Sequence, residues 1–66
     1  MCRSIMKLRG ETPASEEEVR AAARQFVRKI SGYREPSKRN EEAFEAAVDE
    51  IAHSSRRLLD AVSAPR

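Results

Sequence analysis

Three sets of residues in this chain are of types that could do chemistry. Cys2 is the single cysteine. Removal of Met1 would leave an N-terminal cysteine whose amine and thiol sit on adjacent carbons, able to chelate a metal ion or exchange with other thiols, with Arg3 favouring the thiolate. The competing reading makes Cys2 a residue of a terminal arm, or a small apolar plug. His53, the single histidine, has Asp49 one turn before it and Arg57 one turn after, so an Asp-His pair could orient the imidazole. One Cys and one His are too few for a structural zinc site within one copy, and a surface histidine is the simpler reading. Arg20, Arg24 and Arg28 fall at i, i+4 and i+8, and Lys29, Arg34, Lys38 and Arg39 continue the ridge. Such a cluster could neutralise phosphates. Against a nucleic-acid role, Glu41, Glu42 and Glu45 give the following helix the wrong charge for a recognition helix, and aromatic stacking residues are few. The alternative is a solvated face that pairs with those acids.

No nucleophile-base pair, carboxylate dyad, phosphate-binding loop or multi-ligand metal set is present, so the chain is not expected to be an enzyme or to need a cofactor, a metal at Cys2 apart. Function is therefore to be sought in the elements that carry these residues.

Two stretches repeat apolar residues at helical spacing. Val19, Ala22, Ala23, Phe26, Val27 and Ile30 form one stripe, and Phe44, Ala47, Val48, Ile51, Ala52, Leu58, Leu59 and Val62 form another. Ser15 and Glu18 make a Ser-x-x-Glu capping box, and Glu16 to Glu18 complement the positive end of the helix they open. Gly32 can take the left-handed conformation of a C-terminal cap, with Tyr33 folding back onto the last turn. Pro36 stops propagation, and Ser37, or alternatively Asn40, caps the second helix. The reading is an all-α chain with an N-terminal arm (1–14), helix 1 (15–31), a loop (32–37), helix 2 (38–62) and a tail (63–66).

A short loop makes the helices antiparallel neighbours. The charge pattern agrees: residues 19–39 carry +6 and residues 40–52 carry −5, so antiparallel pairing sets Arg24, Arg28 and Lys29 beside Glu41, Glu42 and Glu45. It also places Glu16 to Glu18 near Arg56 and Arg57. Helix 2 overshoots helix 1, and Ile5, Met6 and Leu8 of the arm are expected to cover its far end at Leu58, Leu59 and Val62. Phe26 and Ile51 are expected at the centre of the core, where truncation to Ala would cost roughly 2 to 4 kcal/mol.

Length argues for a partner. A 66-residue chain with no Trp, one Tyr and two Phe builds its core from aliphatics and alanine, and at this size a single core is marginal. The stripes, through Val19, Phe26, Val27, Ile30, Phe44, Val48, Ile51, Leu58, Leu59 and Val62, are expected to serve as core and interface together. They would pair a homodimer into a four-helix arrangement, or dock another helical protein. One cysteine, no signal-like apolar run and no membrane-length segment make a soluble, cytoplasmic interaction module the expectation.

Particular strings carry a resemblance: Met1-Cys2-Arg3 with Ile5, the run Gln25 to Gly32 followed by Pro36-Ser37, Ala47 to Ala52, and Leu58-Leu59-Asp60. The chain resembles a family of short bacterial proteins of unknown function, domain of unknown function 2277, whose members open Met-Cys-Arg-Asn-Ile. It departs in Ser4, in the segment from Met6 to Thr12 and in its end after Val62. The resemblance implies the helical unit and carries no activity with it.

Overall fold

A computed structural model describes residues 5–10 and 12–63. Two helices dominate, α1 over Glu16–Ser31 and α2 over Glu41–Ser63, the second entered through a single 3-10 turn at Lys38–Asn40. No strand occurs among the described residues. The start of α1 is fixed by the capping box: Glu18 N–H donates to Ser15 Oγ at 3.1 Å, and Ser15 N–H donates to Glu18 Oε1 at 2.8 Å. Two backbone donors that the first turn leaves without partners are thereby satisfied. At the other end Gly32 has φ 79°, and its N–H donates to Arg28 O at 2.9 Å. A side chain there would meet open space, so the requirement for glycine is conformational, a left-handed backbone that L side chains rarely adopt.

Ser37 stands before the 3-10 turn with extended backbone, and its carbonyl accepts from Asn40 N–H at 2.9 Å. Its hydroxyl makes no capping bond. The first residues after Pro36 are therefore wound more tightly than the α-helix that the apolar spacing predicts from Lys38.

The helices pack antiparallel, as cross-helix pairs show: Arg20 reaches Asp49, Arg24 reaches Glu45, and Arg56 lies by Glu16. The core consists of Val19, Ala23 and Val27 from α1 against Phe44, Val48 and Ala52 from α2, with Val19 and Val48 fully buried. Leu8, Ala14, Ala47, Ile51 and Leu59 pack around it, partly buried. Arg56 ties the open end of the hairpin together by donating to Ala14 O at 2.6 Å, which anchors the chain just ahead of α1.

Burial departs from expectation at five positions. Phe26 is 43% exposed, Ile30 68%, Leu58 61% and Val62 48%, so none belongs to the core of the single chain, and Ile51 is only half-buried. The stripe in α1 is wider than the strip one helix can cover, so only the row that faces α2 is buried. Leu58 and Val62 lie past Arg56, which meets Glu16 at the start of α1, and have no α1 residue opposite them. The arm is also placed differently. Ile5, Met6 and Leu8 border a groove of about 200 Å³ with Glu18, Ala21, Ala22 and Gln25 of α1, away from Leu58 and Val62. Arg56 holds Ala14 at one side, and the small side chains of Ala21 and Ala22 leave a trough in α1 that larger residues can border.

Candidate functional site

The buried rows recur every fourth residue, Val19-Ala23-Val27 in α1 and Phe44-Val48-Ala52 in α2. A step of one residue turns an α-helix by about 100°, so each buried row has one shoulder at the next residue and another at the preceding one. The next residues are Arg20 and Arg24 in α1, and Glu45 and Asp49 in α2. The preceding residues are Ala22 and Phe26 in α1, continued by Ile30, and Ala47 and Ile51 in α2, with Leu58 on the same side two turns after Ile51 and Val62 one turn further, at the end of the helix. The charged shoulders meet across the helices, so they share one edge of the antiparallel pair, and the apolar shoulders share the opposite edge. Neither edge is visible in composition, because both stem from a one-residue offset.

The charged edge is closed on itself. Arg24 Nη1 and Nη2 each donate to a Glu45 carboxylate oxygen at 2.8 Å, a two-pronged geometry, while the Arg24 guanidinium lies 5.8 Å from the centre of the Phe44 ring. Arg20 Nη1 meets Asp49 Oδ1 at 2.6 Å, and Arg20 Nη2 stands 3.8 Å from Glu45. The hydrogen bond from Arg24, reinforced by the nearby positive charges of Arg24 and Arg20, holds the Glu45 carboxyl below the ordinary carboxylate range; the same bond raises Arg24. A carboxyl with a lowered folded-state pKa gives stability that is present above its unfolded pKa and lost as pH falls through and below that range. Glu45→Gln is accordingly expected to flatten the acid limb of the stability profile. Urea midpoints of the two proteins at neutral and acid pH check this, and parallel losses on acidification would contradict it.

The arginine ridge predicted from sequence is thereby split. Arg20 and Arg24 are turned to acids of α2. Arg28 instead donates Nε to Arg34 O at 2.8 Å and Nη1 to Gln25 Oε1 at 2.7 Å, both uncharged acceptors. Arg28, Lys29 and Arg34 border a cleft of about 430 Å³ with Gln25, Gly32 and Tyr33 at the closed end of the hairpin. The sequence reading had Arg28 and Lys29 facing Glu41 and Glu42. The loop curls back over α1 instead and supplies the backbone acceptor, an arrangement that no spacing in the sequence specifies. Tyr33, expected against the last turn of α1, is half-exposed and linked to the 3-10 turn ahead of α2 by a hydrogen bond from Asn40 Nδ2 to its hydroxyl at 3.5 Å.

His53 is exposed, and Asp49, the residue that would orient it, is engaged by Arg20. Among the described residues no three of His, Cys, Asp and Glu are grouped to hold a metal ion. Cys2 lies outside the described residues. None of the helices described is long and apolar enough to cross a membrane.

On the apolar edge the arm borders Ala22, and Ala47 and Ile51 pack partly buried against the core, while Phe26, Ile30, Leu58 and Val62 stay exposed in the single chain. The exposed bulky residues stand at opposite ends of this edge, Phe26 and Ile30 toward the loop and Leu58 and Val62 toward the open end, with Ala22, Ala47 and the half-buried Ile51 between them. Comparison with known proteins gives one family model that matches residues 1–66, described as an uncharacterized conserved protein. No curated protein and no solved structure matches the chain.

Proposed function

The chain belongs to the DUF2277 family, whose description assigns no activity, and from its own geometry we propose a non-catalytic, cytoplasmic interaction module that self-associates through its apolar edge. The observation that carries this reading is the row of exposed large apolar residues, Phe26, Ile30, Leu58 and Val62, on the edge opposite the Arg-Glu pairs. Exposed large apolar side chains grouped in this way at the two ends of one edge mark interaction sites.

A second copy is the occupant that the geometry favours. The buried core described here contains three valines, two alanines and one phenylalanine, a small apolar total for a domain of this size, and chains this short gain stability by association. The edge suits a two-fold relation as well. With bulky side chains at both ends, a two-fold rotation that lays the loop end of one copy over the open end of the other sets Phe26 and Ile30 against Leu58 and Val62 of the partner, apolar surface on apolar surface. The ion pairs on the opposite edge stay at the solvent face of the resulting four-helix arrangement.

Folding and association would then be linked, so the melting temperature should rise with protein concentration. Sedimentation equilibrium across the micromolar range should give a mass between one and two chains that increases with concentration. A monomer at every concentration, melting at one fixed temperature, would overturn the proposal.

A further inference from the structure

The cleft at the closed end of the hairpin lies apart from the apolar edge and from the Arg-Glu pairs. Arg28, Lys29 and Arg34 line it, together with Gln25, Gly32 and Tyr33. Among the described residues none of these three cations comes within 4.0 Å of a carboxylate, in contrast to Arg20, Arg24 and Arg56, all of which do. Basic residues in the last turn of a helix complement its exposed carbonyls. That accounts for Arg28 and Lys29 along the helix and leaves unexplained both the cleft and the addition of Arg34 from the loop.

The decisive group is Arg28. The residue is partly buried and its guanidinium is held from two sides, Nε donating to the Arg34 carbonyl and Nη1 to Gln25 Oε1. Neither acceptor carries charge, so the cation is held in position with no carboxylate within 4.0 Å of it among the described residues. A guanidinium oriented in advance, with two further cations beside it, matches an oxyanion of more than one charge, because charge-assisted hydrogen bonds are strongest where donor orientation need not be acquired on binding. The cleft is open to solvent, and its volume of about 430 Å³ exceeds what one oxyanion fills. Tyr33 adds a half-exposed ring at the rim, fixed at its hydroxyl by Asn40.

We propose that this cleft binds the phosphate group of a small phosphorylated molecule, with Arg28 as the oriented anchor and Lys29 and Arg34 completing the charge. A duplex nucleic acid is a poorer occupant. Phosphate contacts along a duplex need a row of available cations, and the row that would continue from Arg28 along α1 is occupied by Glu45 and Asp49.

The test is a titration of the isotope-labelled full chain with inorganic phosphate and, separately, with AMP, at low salt and followed by amide chemical shifts. Both are expected to move Gln25, Lys29, Gly32, Tyr33 and Arg34 in a saturable way while Arg20, Arg24 and Arg56 stay still. Tighter binding of AMP that is lost in Tyr33→Ala would assign a ring-bearing phosphate, and equal binding would assign a free phosphate or an aliphatic ester. The Lys29→Gln/Arg34→Gln variant alters two exposed side chains outside the core, so it tests binding without endangering the fold, and it should weaken binding roughly tenfold or more. Arg28→Lys, which keeps the charge and removes the fork, should weaken it as well. Absence of saturable shifts at millimolar phosphate would overturn the proposal, as would shifts spread evenly over all the arginines. Tighter binding of a DNA duplex through the same residues would replace the small molecule by a nucleic acid and overturn it too.

Discussion

Phe44→Ala should destabilise the chain by about 3 to 4 kcal/mol, a large part of the stability that small domains possess, and leave it mostly unfolded near room temperature. Phe44 is the only large aromatic in the buried core. Its ring faces Val19, Ala23 and Val27 across the helix interface and also lies under Arg24 at 5.8 Å. Truncation therefore opens a cavity that small neighbours cannot fill and removes the surface on which the Arg24 fork rests. Phe26→Ala provides the comparison. Phe26 is nearly half-exposed, so in dilute, monomeric samples its removal should cost less than about 1 kcal/mol. Urea denaturation followed at 222 nm measures both, and equal losses would mean that the two rings share one core.

Leu58→Lys should raise the dissociation constant of the dimer by about 100-fold or more, since it places an unpaired ammonium in an apolar contact. Leu58 is 61% exposed in the single chain, so the substitution leaves the hairpin itself intact. The variant should match the helicity and melting temperature of wild-type protein diluted to the monomer. Ala46→Lys is the control: Ala46 is exposed and lies two residues behind the buried row at Val48, on neither edge, so association should be unchanged. If both substitutions had the same effect on association, the apolar edge would not be the interface.

The ends of α1 were legible in the sequence because each is encoded locally. The Ser15-Glu18 box and Gly32 each act within one turn, and both occur where their spacing places them. The antiparallel pairing was legible too, from blocks of opposite charge, and the Arg24-Glu45 and Arg20-Asp49 pairs supply it. Burial was harder to read. The stripe in α1 holds two apolar rows one residue apart, and periodicity alone ranks Phe26 with Val27. Which row is covered depends on how many helices surround it, and with one neighbour only Val19, Ala23 and Val27 are enclosed. The arm carries too few periodic residues to fix its path, so its expected position over Leu58 and Val62 did not follow from local pattern. The cleft at Arg28 was hidden for a related reason. Its assembly requires the loop carbonyl of Arg34 to return to α1, a contact set by the turn after Gly32 rather than by helical spacing.

The most direct test of association through the apolar edge is an isotope-filtered NOE experiment on a mixed sample of labelled and unlabelled chains, in which only contacts between copies give signals. The account predicts intermolecular contacts from the Phe26 ring and from the Ile30, Leu58 and Val62 methyls. No contacts between copies, or contacts confined to the edge that carries Arg20, Arg24, Glu45 and Asp49, would contradict it.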